Sequence, residues 1–294
     1  MKAFLILLLI FICAAAPGLA TEQADYVAGV DEWHAGRIER LHRSDGWLTL
    51  VGLIALPEGR SSFGCGEAVD LRISANAAAH IGDLVIDGKQ VWFIAAAQVT
   101  LGGEAIGEIE LAADNTGEPT VLHSGSVSFY LIRRHGRPYL RVKDASAELL
   151  QTFEGIDRWP VDESWKVVAT WELYKTPQKR SFPNVLGQAT ETEVAGEARF
   201  THDGQEFALY PNSTSDDSWF WVFGDATNGM ESYGAGRFLY TDGPDTNGHI
   251  VLDFNRSYNP PCVFTPFATC PLPSEGNNLD LRITAGEKMF GTSH

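Results

Sequence analysis

A chain of 294 residues, 44% hydrophobic and 20% charged, can bury a full-sized core, which excludes a largely disordered protein. Its formal charge of −16 speaks against nucleic acid as a partner, because an acidic surface repels phosphates and no Lys/Arg stripe offsets it. Taken alone, the acidity reads as solubility.

Residues 1–20 form a separate object: Lys2, an apolar run from Ala3 to Ala16, then Pro17-Gly18-Leu19-Ala20. A positive start, a short apolar core and small residues before a cut predict a secretory signal peptide cleaved after Ala20, and a secreted or periplasmic destination. No later stretch approaches the ~20 continuous apolar residues of a spanning helix. Residues 21–45 read as a short amphipathic helix. Tyr26, Val30, Trp33, Ile38 and Leu41 recur at helical spacing, Asp25 is placed to cap the start, and Ser44-Asp45-Gly46 to end it. Trp33 is the expected anchor against the sheet behind.

From 46 to 154 the chain reads as a sandwich-like half built of short strands. Candidates are Trp47 to Ala55, Ala68 to Ile73, Ile81 to Ile86, Lys89 to Ala95, Glu108 to Leu111, Val127 to Arg133 and Arg137 to Val142. Asp87-Gly88 and His135-Gly136 carry the hairpin signature between runs rich in Val, Ile and Phe. Gly59-Arg60 and the order of segments after it resemble, in spacing only, a forkhead-associated-type sandwich. Such domains read phosphothreonine with an Arg and a Ser three residues before a His; here Ala77 precedes His80 by three, so the phosphopeptide role does not carry over.

Gly155 and Pro160 punctuate a connection, and 155–294 reads as a barrel-like half. Trp165 to Tyr174 is its first strand, with Pro177 expected to break it. Thr192 to Phe200, Glu206 to Tyr210, Trp219 to Phe223, Gly236 to Tyr240, His249 to Phe254 and Leu279 to Thr284 follow. The unalternating SWFWVFG suggests a strand buried on both faces. The fold class is thus mainly β, with antiparallel sandwich-like and barrel-like halves behind a short N-terminal helix.

The strings RLHRSDGWLTLVGLIALPEG, YGAGRFL, LDFNRSYNPPCVFTPFATCPLPSEGNNL and AGEK resemble the bacterial family called domain of unknown function 1684, over nearly the full mature chain. The resemblance implies one integrated unit and names no activity. Cys262 and Cys270 fall inside the family string, and Cys65 does not.

Chemistry concentrates between Gly234 and Pro273. If Ile250 to Asn255 is a strand, Asp253 and Asn255 share one face. Asp225, Arg237, Asp253, Asn255 and Tyr258 then form a candidate polar pocket for a small molecule, walled by Trp219 and Trp221. The competing reading is a buried salt bridge from Arg237 to Asp253 or Asp225 that only fixes the fold. In an exported chain Cys262 and Cys270, eight apart, read first as a disulfide. A buried thiol comes next, then a nucleophile or ligand. A hydrolase acting on a small or cell-envelope substrate, with Cys262, His249 and Asp253 as a triad, is the second function; a structural or interaction protein is the third. Asp242, Asp245 and Asn247 miss the spacing of a calcium loop, so no metal and no cofactor is expected.

Overall fold

The computed structural model describes residues 17–291, so most of the expected signal segment lies outside the described residues. Helix α1 (Pro17–Leu41) opens before Ala20, which puts Asp25 well inside it rather than at a cap. It stops where sequence predicts. Gly46 packs so tightly under the last turn that a Cβ there would lie 2.8 Å from the Leu41 carbonyl oxygen and 2.9 Å from that of Arg40. Glycine is therefore what lets the chain turn back and deliver Trp47 beside the helix end.

The first half holds β1 (Leu50–Ala55), β2 (Gly59–Gly64), β3 (Leu71–Arg72), β4 (Gly82–Asp87), β5 (Gln90–Ala95) and β6 (Thr100–Leu101). It continues with β7 (Glu104–Ala105), β8 (Glu108–Glu110), β9 (Leu122–Ser124), β10 (Val127–Arg134) and β11 (Arg137–Asp144). One sheet runs β1-β11-β10-β9-β6-β7 and the other β3-β2-β4-β5-β8. They pack face to face: Phe129 of the first sheet meets Phe63 and Phe93 of the second at ring-centroid distances of 5.1 Å. The hairpin turns behave as sequence predicts. Arg134 pairs with Arg137, and the two residues between them, His135 and Gly136, have φ of 49° and 77°, as a type I′ turn demands. Arg60 and His80 both engage Asp83, at 2.5 Å and 2.9 Å.

After α2 (Glu148–Thr152) come β12 (Lys166–Pro183), β13 (Ala189–His202), β14 (Gln205–Leu209), β15 (Ser213–Thr214), β16 (Trp219–Phe223), β17 (Arg237–Thr241) and β18 (His249–Asp253). The sheet β14-β13-β12-β18 curls as a half-barrel over the smaller sheet β15-β16-β17. Pro177 does not break β12. The register slips between Leu173 and Gln178, and a proline's missing donor is tolerated at such a bulge. Residues 279–284 form no strand, and a single bridge from Asn278 to Gly224 stands there instead.

β16 is central to its sheet and buried on both faces for a specific reason. Trp221 and Phe223 enter the core beneath the half-barrel, whereas Val222 faces a second cluster with Phe238, Ala268, Cys270 and Leu50. Leu50 belongs to β1, so that cluster is where the halves meet. A further apolar group, Leu41, Leu48, Phe153, Ile156 and Phe264, ties the end of α1 to both.

Candidate functional site

The five residues expected to converge separate into three places. Arg237, first in β17, is wholly buried and forms an ion pair with Asp225, whose side chain is equally buried. The guanidinium also donates to the carbonyls of Ile283, at 3.0 Å, and Ala285, and lies over the Trp159 and Phe223 rings. The other carboxylate oxygen of Asp225 accepts from Thr227 N at 2.9 Å and Thr227 Oγ1 at 2.5 Å. Burial pulls the Arg237 pKa down while Asp225 opposes the shift. Every strong acceptor here is used internally, so this pair is a clamp on residues 283–285. A surface cavity of about 600 Å³ runs past Asp225, yet the buried side chain presents none of its oxygens to it.

Asp253 and Asn255 do meet, by another route than a shared strand face. β18 ends at Asp253, and Phe254–Arg256 turns as a 3-10 helix with Asp253 accepting from Asn255 N at 3.2 Å. Tyr26 of α1 donates its hydroxyl to Asp253 at 2.8 Å. Asn255 donates from Nδ2 to the Tyr26 oxygen at 3.0 Å and to the Asp162 carbonyl at 2.8 Å. Burial first, and then the Asp253 carboxylate, push the Tyr26 phenol far above the ordinary tyrosine value. This cluster docks α1 on the half-barrel, and its Asp253 pairs with Arg256 rather than Arg237.

Tyr258 lies in a cleft of about 460 Å³ between α1, the turn after it and the edge of β17. Its ring carries the Arg37 guanidinium 4.4 Å from its centroid and lies nearly parallel to Tyr240, 6.4 Å away. Trp33 and Trp47 supply further wall. Five cations line the space, Arg37, Arg40, Arg43, Lys143 and Arg256, against one carboxylate, Asp45. Pairing decides which of them are free. Arg37 is held at 3.0 Å by the buried Glu287, Arg43 is held by Asp45 through two bonds, and Arg256 is paired with Asp253. Arg40 and Lys143 remain without a carboxylate partner among the described residues. Lys143 donates to the Asp45 carbonyl at 2.5 Å, and burial lowers its pKa.

An adjoining cleft of about 380 Å³ shares Tyr240 and Arg256 with the first and continues past Asp253, Asp242, Ser218 and Lys166. Arg37, Arg40 and Arg43 had a readable signal: three arginines at a spacing of three lie along one side of a helix and its exit. Lys143, from the far side of the first half, had none.

The proposed triad is not assembled. His249 and Asp253 stand at opposite ends of five-residue β18, and Cys262 is bonded to Cys270. Asp245 turns its carboxylate inward on Asn247 N and His249 N, each at 2.8 Å. Among the described residues no three His, Cys, Asp or Glu side chains are grouped to hold a metal ion.

A search of curated proteins returns no match. The solution structure of an uncharacterised protein of Haloarcula marismortui is 28% identical, over 48% of this chain and 80% of that one, with a TM-score of 0.40. The family model described as "Protein of unknown function (DUF1684)" matches residues 151–288, which take in β12 to β18, Arg237, Asp253 and Tyr258 but neither α1 nor Lys143. Residues 151–288, a little under half of the chain, are thus similar to this DUF1684 family.

Proposed function

We propose that this is an exported protein that binds a small anionic molecule in the cleft between α1 and the edge of β17. The observation that carries the reading is the excess of positive charge there. A chain with a formal charge of −16 gathers five cations on one cleft, and Arg40 and Lys143 are left for a ligand once the internal pairs are discounted. Such a volume suits one small molecule, and aromatic walls with a few fixed polar groups are the usual lining of such sites. The Cys262–Cys270 disulfide fits an oxidising compartment, as does the N-terminal apolar run.

Binding is expected to weaken on the alkaline side. Lys143 loses its proton below the ordinary lysine range, so attraction falls as pH rises through that lowered value. The test is a tryptophan-fluorescence titration with small carboxylates such as benzoate, at low and high salt. Binding that is salt-sensitive and about tenfold weaker in an Arg40→Ala, Lys143→Met double variant supports the reading. Unchanged binding in the double variant, or no response to any carboxylate, rejects it.

A further inference from the structure

We infer that the chain holds a second anion site, separate from the α1 cleft: a place for a phosphoryl group, built on Arg134, Arg141 and Thr269 where the two halves meet. Paired residues of an antiparallel ladder share a face, and the β10–β11 register puts Arg134 and Arg141 on the face turned away from Phe129 and Leu140 of the sandwich core. Both reach one hydroxyl beyond that sheet. Thr269 Oγ1 accepts from Arg134 Nε at 3.1 Å and from Arg141 Nη2 at 3.3 Å, so the two guanidinium groups lie within two hydrogen-bond lengths of each other. Of the two, only Arg134 has a carboxylate partner, Asp114 at 2.7 Å.

Arg141 is the uncompensated charge. It is 5% exposed, its Nε is buried without a hydrogen-bond partner, and its other contact is the Trp47 ring, 5.9 Å from the centroid. Buried charges are ordinarily paired. Thr269 sharpens the point, because a hydroxyl whose two acceptor sites are taken by cations can only donate, and it donates to nothing among the described residues. Thr269 lines a cavity of about 470 Å³ that shares no lining residue with the α1 cleft. No Asp or Glu lines that cavity, in a chain with 38 acidic residues against 22 basic. On the same lining, Asn212 gives its Oδ1 to Val222 N at 2.9 Å, which leaves Nδ2 without a partner among the described residues.

A phosphoryl group answers this set of donors. Its oxygens can accept from two planar guanidinium groups and from the Thr269 proton together, whereas a halide offers them no directed acceptors. The volume leaves room beyond that group, so inorganic phosphate and a small phosphate monoester share the chemistry.

The experiment titrates inorganic phosphate and, separately, glycerol 3-phosphate into the whole protein by calorimetry, at constant ionic strength set with chloride. Wild type, Arg141→Met, Thr269→Val and Arg40→Ala are compared, the last because it alters only the α1 cleft. The inference expects saturable binding in wild type and Arg40→Ala, about tenfold weaker in Arg141→Met and weaker in Thr269→Val. Tighter binding of the ester would identify a phosphorylated small molecule, and tighter binding of phosphate the free ion; either supports the site. Melting curves in phosphate-free buffer should show Arg141→Met no less stable than wild type, since it removes an unpaired buried cation. A marked loss of stability there would mean that Trp47 and Thr269 already satisfy the guanidinium, and would overturn the inference. So would the absence of saturable binding, undiminished binding in Arg141→Met, or binding lost in Arg40→Ala. Failure of benzoate to bind the α1 cleft leaves this site untouched, and failure of phosphate here leaves the cleft untouched.

Discussion

At the scale of single residues, two buried ion pairs set the frame around the cleft. Arg37 reaches from α1 to Glu287, which is fully buried and also accepts from Asn259 N at 2.7 Å; Arg237 holds Asp225. Arg237→Ala leaves the Asp225 carboxylate in the core with its Thr227 hydrogen bonds but without its cation, and is expected to cost about 3–5 kcal/mol in urea unfolding. Replacing both partners with apolar residues should recover much of that. A loss under about 1 kcal/mol in the single variant would mean that the pair is not buried as described. Tyr26→Phe removes a half-exposed hydrogen bond to a carboxylate, so about 1 kcal/mol is expected at neutral pH. The sign with pH follows from the raised phenol. Its contribution is complete below the unfolded tyrosine value of 10.0 and fades as pH climbs above it, so wild type should lose stability there more steeply than Tyr26→Phe.

The residue types of this region are legible in the sequence, but their partners are not. Asp225, Arg237, Asp253, Asn255 and Tyr258 are all buried or half-buried and engaged. Strand alternation joins Asp253 to Asn255, and a capped 3-10 turn does so in fact. Whether Arg237 pairs with Asp225 or Asp253 depends on where residues 283–285 run, which no periodicity encodes.

At the scale of elements, loops decide more than strands. The disulfide closes a loop of eight-residue separation that contributes to the cluster between the halves, with Cys270 nearly buried beside Val222 and Phe238. Chain-entropy arguments give such a closure about 2.5 kcal/mol, the loss expected for a Cys262→Ser, Cys270→Ser variant. Alkylation in denaturant should label two further thiols only after reduction, and labelling of all cysteines without reductant would contradict the bond. Hairpin turns are readable because Gly88, His135 and Gly136 occupy positive φ, which few residues tolerate. The persistence of β12 through Pro177 is not readable, since a bulge that accommodates proline is fixed by the partner strand. The helix end is half readable: Gly46 marks the stop, while at the other end the helix already runs at Pro17, among residues that sequence assigns to a leader.

At the scale of the molecule, the fold class follows from composition and turn spacing, but the cleft does not. Its lining joins residues 33–47, Lys143 and 240–258, brought together where Leu50 of β1 packs with Val222 and Phe238 of the second half and where Leu41, Leu48, Phe153, Ile156 and Phe264 tie the end of α1 to both. That shared cluster predicts one cooperative transition. Far-UV circular dichroism and tryptophan fluorescence should give coincident unfolding curves, and Leu50→Ala should shift both together by about 2–5 kcal/mol. Two separated transitions would mean that the halves are energetically independent and that the cleft opens before either half melts.

The most direct test of the anion-binding cleft needs no knowledge of the natural ligand. Crystals soaked in iodide, examined by anomalous scattering, should show an ion between Arg40 and Lys143 that disappears in the Arg40→Ala, Lys143→Met variant. Iodide bound elsewhere on the surface, with none in the cleft, would contradict the account.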